Sequence, residues 1–89
     1  MEEKTYTNRD RVGELNPEAI VWDGFDDAII GYDRKDGKAV YSEIKMMEIL
    51  MASPMSEEEA MEYLEFNVFS TYVGEYTPLH IHLFNEYDL

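Results

Sequence analysis

Apolar and polar positions along this 89-residue chain change their period twice. Up to about residue 41 the apolar residues come in short, β-branched and aromatic stretches. From there to about residue 73 they recur at helical spacing, and near the C-terminus they alternate again. Ala28–Tyr32 and Lys38–Tyr41 are strand-like, and Asp36-Gly37 between them is the favoured pair for a two-residue type I′ turn, so residues 28–41 predict a β-hairpin. That register sets Tyr32 opposite Tyr41, a good cross-strand pair. It also sets Lys35 opposite Lys38, a mild like-charge penalty. Ser42 is placed to N-cap a helix running to about Ala52, with Ile44, Met47 and Leu50 or Met51 on its inner stripe and Pro54 as its stop. Ser56 and Glu59 then form a capping box. The helix they open is expected to reach about Val73, with Met61, Leu64, Val68 and Tyr72 as its apolar stripe and Gly74 in the left-handed position after its end. Phe66 and Phe69 are expected to widen the core face, while Tyr63 fits either core or surface. Leu79–Phe84 alternates and reads as a third strand.

The remaining segments carry weaker signals. Residues 1–15 are polar, mixed in charge and without a period, and read as a loosely ordered arm. Asn16-Pro17 can open a short helical turn. Asp23-Gly24-Phe25-Asp26-Asp27 is a turn around one buried aromatic. The expectation is a single α+β domain over residues 16–89, in the order ββααβ. In it, a small antiparallel sheet, formed by the hairpin and the C-terminal strand, packs on two helices.

Composition narrows the function classes. A chain of this length makes one domain, and 45% apolar with 13% aromatic residues is ample for a core, so this is not a disordered acidic tail. There is no cysteine, which removes disulfides, thiolate metal sites and thiol catalysis and suits a reducing cytoplasm. The N-terminal residues form no apolar run, so no signal peptide is expected, and no stretch approaches a membrane span. The charge changes the picture most. The net value is −13, and it is unevenly placed: seven bases and eleven acids lie in residues 1–45, nine acids and no base in residues 46–89. Such a field repels nucleic acid and anionic membranes and attracts basic protein surfaces. Surface acid that merely keeps a small protein soluble is the plain alternative.

Two acidic constellations stand out. Glu58, Glu62 and Glu65 recur at i, i+4, i+7 on the second helix with Glu57 alongside. Carboxylates one turn apart lie roughly 6 Å from each other along the axis, similar to the phosphate spacing of a nucleic-acid strand. A solvated polar face explains them too, although such a face usually mixes in Lys. Asp23, Asp26 and Asp27 share one turn, where Asp commonly bonds its own backbone, and the spacing of an EF-hand calcium loop is absent. His80 and His82 would share one strand face and, with Glu86, have the donors for zinc, but a lone His-x-His is a weak signal and no metal or other cofactor is expected. Ser42, Ser53, Ser56 and Ser70 stand in no nucleophile motif, no glycine-rich phosphate loop is present, and a chain this short struggles to enclose a substrate pocket, so an enzyme is not expected.

The blocks Asp23-Gly-Phe-Asp-Asp-Ala-Ile-Ile-Gly-Tyr32, Glu48-Ile-Leu-Met51, Met55-Ser-Glu-Glu-Glu-Ala60, Glu65-Phe-Asn-Val68 and Tyr72-Val-Gly-Glu-Tyr-Thr-Pro78 resemble a family of small acidic tailed-phage proteins, mostly without an assigned function. The resemblance covers roughly residues 17–78. It departs from the family at Lys35-Asp36-Gly37-Lys38, where many relatives have a longer hairpin connection. It implies a phage origin and the host cytoplasm, and it transfers no catalytic residue. With the charge, it leads to the expectation of an anti-defence protein of the anti-CRISPR kind. Such a protein would cover a basic nucleic-acid-binding surface of a host protein with Glu57, Glu58, Glu62, Glu65 and the Asp23, Asp26, Asp27 turn, and would bind neither nucleic acid nor membrane itself. The alternative is a phage accessory or assembly protein that associates through exposed aromatics, as a homodimer for example.

Overall fold

The computed structural model describes residues 6–84. Its elements run α1 (Asn8–Leu15), a 3-10 turn (Asp26–Ala28), β1 (Ile29–Asp33), β2 (Lys38–Ser42), α2 (Glu43–Ala52), α3 (Glu57–Leu64) continued by a π-helical segment (Glu65–Phe69), and β3 (Leu79–Ile81). The class is α+β, and ββααβ is the order from β1 onward. The sheet, in the order β1-β2-β3, is mixed rather than antiparallel: β1 and β2 are antiparallel, but β3 runs parallel to β2. A parallel return needs a long crossover, and α2 and α3 supply it. Alternation in Leu79–Phe84 signals a strand but carries no direction; the helix pair decides that. The strand also stops at Ile81, short of the expected Phe84.

The expected arm, residues 1–15, holds a helix at Asn8–Leu15, and its residues 1–5 lie outside the described residues. Thr7 and Asp10 form a capping box at the start of α1, and Val12 is buried in the same core as the other elements. With so few apolar positions α1 has no legible stripe, so tertiary contact rather than period holds it. The Asn8 side chain donates to the Ile29 carbonyl at 2.8 Å, and the Arg9 guanidinium reaches Asp26 at 3.1 Å. Thus α1 lies beside β1, an outer strand, and Asn8 satisfies one backbone carbonyl on that strand.

The hairpin closes differently from the two-residue expectation. Asp33 pairs with Lys38 and Tyr32 with Ala39, leaving a four-residue connection, Arg34–Gly37. The Gly37 amide donates to the Asp33 carbonyl at 2.7 Å. This register replaces the Lys35/Lys38 repulsion with an Asp33/Lys38 pair of opposite charge. Ile30 is an extra residue on β1, a bulge between Ile29 and Gly31. The bulge reverses the alternation of β1 so that Ile29 and Tyr32 both stand opposite core-facing residues of β2, Tyr41 and Ala39. Asn16 opens a single turn at Pro17–Glu18, closed by the Ala19 amide on the Asn16 carbonyl at 3.0 Å. Its Oδ1 accepts the Glu18 amide, and its Nδ2 donates to the Gly37 carbonyl at 2.9 Å, tying the end of α1 to the hairpin tip.

β2 passes directly into α2, with Ser42 both the last strand residue and the N-cap. α2 spans the expected residues but is rotated from the expected face: Met46 and Leu50 enter the core, Ile44 and Met47 are half-buried and Met51 is exposed. The Ser56–Glu59 capping box forms with both of its hydrogen bonds. α3 buries Ala60, Leu64 and Val68, with Met61 half-buried beside them. It then widens and ends at Phe69 rather than Val73. Side chains cause this: Asn67, Ser70 and Thr71 donate to the carbonyls of Tyr63, Glu65 and Asn67 in competition with the backbone ladder. The wider turn moves later residues off the stripe. Tyr72 is 78% exposed, against the core position expected; Phe66, also expected in the core, is 77% exposed because ordinary helical period already sets it opposite Leu64. Gly74 lies beyond the helix end, in a turn where its carbonyl accepts the Thr77 amide and hydroxyl.

Candidate functional site

The capping box fixes where α3 starts and therefore which residues face out. With Ala60 and Leu64 turned inward, Glu58 and Glu62 point to solvent, and Glu65 follows at the start of the π-helical segment, also exposed; Glu57 lies on the Ala60 side and is exposed as the first residue of the helix. Among the described residues no Lys or Arg pairs with any of the four: the ion pairs are Arg9 with Asp23 and Asp26, and His82 with Glu43. Along the α-helical part, Glu58 and Glu62 stand about 6 Å apart by helical rise, a like-charge spacing that costs a few tenths of a kcal/mol.

The three aspartates of the 23–27 turn have separate environments. Arg9 contacts Asp23 at 3.4 Å and Asp26 at 3.1 Å. Asp26 first, then Asp23, holds the guanidinium more firmly protonated than usual. One cation between two carboxylates offsets part of the turn's charge while pinning α1 to it. Asp27 is exposed and borders a shallow depression with Lys45, Glu48, Ile49 and Ala52. Glu48 also lines a second depression, which contains Glu57. Glu48 therefore links the Asp27 turn to the start of α3, a connection not read from the sequence. The signal was present: once Met46 and Leu50 are recognised as the inner residues of α2, Glu48 must face outward. Beside the carboxylates, Phe66, Tyr72 and Val73 are exposed, with Tyr63 at 40%.

The two histidines go to different tasks. Trp22 Nε1–H donates to His80 Nε2 at 2.8 Å, with the two rings nearly parallel at 6.0 Å. Phe69 and Tyr41 complete the surroundings of His80. The Trp22 amide donates to the Tyr41 hydroxyl at 2.7 Å, and burial pushes the Tyr41 pKa up to about 12. Because Nε2 of His80 accepts, its proton sits on Nδ1 and the ring is neutral. His82 instead faces Glu43, Nδ1 to carboxylate 3.4 Å. Among the described residues no three His, Cys, Asp or Glu side chains are grouped to hold a metal ion; Glu86, the third member of the zinc reading, lies outside them. No helix among the described residues is long and apolar enough to cross a membrane.

A pH dependence follows from His80. Burial lowers its pKa below the ordinary 6.5, so the folded state favours the neutral ring. The stability this contributes is complete above about 6.5, the unfolded value, and is lost as the pH falls through the lower folded-state value. Fluorescence of Trp22, the single tryptophan, is expected to change on acidification with a midpoint below 6.5, and this transition is expected to vanish in His80→Gln. A midpoint above 6.5 would contradict the buried, neutral ring.

Set beside known proteins, the chain matches no family model, no curated protein and no solved structure.

Proposed function

We propose that this chain is a non-enzymatic, phage-encoded inhibitor that acts in the host cytoplasm by covering a basic nucleic-acid-binding surface of a host defence complex. The observation that carries this reading is the acidic surface of α3, where Glu57 at its start and Glu58, Glu62 and Glu65 on its outward face are exposed and without a basic partner among the described residues. On a chain of net charge −13, these carboxylates present an array to which a phosphate-binding surface of Arg and Lys is complementary. Asp27 adds to the array, and Glu48 lies between it and Glu57. Asp23 and Asp26 contribute less, since Arg9 already pairs with both. The resemblance to small acidic phage proteins supports the biological setting.

The triple variant Glu58→Lys, Glu62→Lys, Glu65→Lys tests this. All three side chains are exposed, so the fold is expected to hold, with an unchanged circular dichroism spectrum. Capture of the basic partner is expected to be lost. A folded triple variant that binds as the parent does would sink the reading.

Exposed Phe66 and Tyr72 favour a second reading, self-association through aromatics, because large apolar rings in solvent are common anchors of protein interfaces. Light scattering separates the two: a dimer indifferent to salt supports self-association, and a monomer removes it.

A further inference from the structure

α2 carries two apolar stripes. Met46 and Leu50 go into the core, while Ile44, Met47 and Met51 lie on another side of the same helix, Met47 packing partly against the core from that side. A helix packed on one core needs a single stripe. The second one, together with Met61 of α3, floors an open groove of about 230 Å³ between the two helices. Three of the four floor residues are methionines, whose unbranched side chains re-pack around varied partners. Met51 is 43% exposed and the other three are half-buried, so apolar surface here faces water. The volume lies below the roughly 300–1,000 Å³ usual for small-molecule sites and suits one or two inserted side chains.

The rim chooses the occupant. Glu43, Glu48 and Glu57 border the groove, and no Lys or Arg lines it among the described residues. His82 closes the border and is held by Glu43. A second copy of this chain would bring the same acidic rim and a net charge of −13, and the last five residues of the sequence carry Glu86 and Asp88, so both have the wrong sign. The geometry points to this groove as the docking site for a basic amphipathic helix of a partner protein. Its apolar residues at i and i+4 seat on the methionines, and its Lys and Arg residues meet the glutamate rim. This deepens the reading above and rests on its premise that the partner is basic, adding an apolar anchor to a charge-only contact.

The test uses the full chain with its methionine methyl groups labelled for NMR, titrated with a leucine–lysine peptide about five helical turns long whose leucines follow the helical period. The methyl signals of Met47, Met51 and Met61 are expected to shift, while that of Met46, buried in the core, stays. A peptide of the same composition with its leucines scrambled off the helical period is expected to bind about tenfold more weakly, because it loses the apolar contact and keeps the charge. The double variant Met51→Gln, Met61→Gln is expected to lose a similar factor for the periodic peptide and none for the scrambled one. Equal affinity for both peptides, or unmoved Met47, Met51 and Met61 signals, overturns the proposal without depending on the folding of any variant. The Glu58, Glu62, Glu65 triple variant retains the rim, so its methionine shifts are expected to persist. Loss of the peptide response alone removes the groove and leaves the acidic face. Persistence of that response, with partner capture unchanged by the triple variant, removes the acidic face and leaves the groove.

Discussion

Leu64→Ala is expected to lower stability by about 3 kcal/mol, the largest effect of any single truncation on α3, because a fully buried leucine leaves a cavity that its surroundings fill only in part. Leu64 sits between Ala60 and Val68 on the buried stripe, at the junction where α3 passes into its π-helical segment. Backbone widened by competing side chains has little freedom to collapse without breaking the hydrogen bonds of Asn67 and Ser70. A domain of this size is stable by about 4–13 kcal/mol, so the loss is a large share of the total. Thermal unfolding is expected to move down on the order of 15 °C. Phe66→Ala is the control. Its ring is larger but exposed, and its removal is expected to cost less than about 0.5 kcal/mol. Comparable losses for the two would contradict the helix register described above.

Gly37→Ala is expected to cost about 2–3 kcal/mol, measured as a shift of the denaturation midpoint at constant slope. Gly37 has φ +73°, a left-handed conformation that costs an L-residue about 1–2 kcal/mol. Space is lacking as well. An added Cβ would lie 2.9 Å from Asn16 Nδ2 and 3.2 Å from Cε1 of Tyr76. Asn16 cannot simply move away, because that nitrogen donates to the Gly37 carbonyl, and losing the bond costs about 1 kcal/mol more. Gly24→Ala isolates the backbone part: its φ is +90°, yet nothing lies within 4 Å of the added Cβ. The Gly37 variant is therefore expected to be the more damaging of the two. Equal losses would mean that the hairpin tip is not clamped between Asn16 and Tyr76.

These two sites show where sequence reading succeeds and where it stops. Leu64 and Val68 were legible because a capping box fixes the start of α3, and helical period then assigns faces. The same period failed at Tyr72, since Asn67, Ser70 and Thr71 widen the turn, and competition of side chains for backbone carbonyls leaves no mark on hydrophobic spacing; at Phe66 the period was overridden by the expectation that an aromatic ring is buried, although it already sets Phe66 opposite Leu64. The hairpin was legible from Asp36-Gly37, but its register was not. Contacts of Gly37 with Asn16 and Tyr76, distant in sequence, bear on the loop, and the Ile30 bulge changes the parity of β1. α1 was missed because Val12 is its single buried residue and its anchors, Asn8 and Arg9, are polar. For the candidate site, Glu58, Glu62 and Glu65 could be placed outward from the cap and the period, whereas the exposure of Glu57 follows from its place at the helix start. The pairing of Asp23 and Asp26 with Arg9, the linking position of Glu48 and the methionine groove all depend on how helices pack. In particular, the rotation of α2 that buries Met46 rather than Met47 creates the groove, and the two adjacent methionines are indistinguishable by hydropathy.

Contacts between exposed carboxylates and a basic surface act over about 8–10 Å at physiological salt, so they govern encounter and are weakened as salt rises. An apolar anchor in the groove responds far less to salt. The two contributions are therefore separable by ionic strength alone.

The most direct measurement is capture of partners from bacterial lysate on the immobilised chain at low and high salt, followed by competition with added duplex DNA and RNA. A nucleic-acid-binding protein is expected that is retained at low salt, released at high salt, displaced by nucleic acid, and absent when Glu58, Glu62 and Glu65 are changed to lysine. A partner that nucleic acid does not displace, or that the lysine variant still captures, would contradict the proposed function.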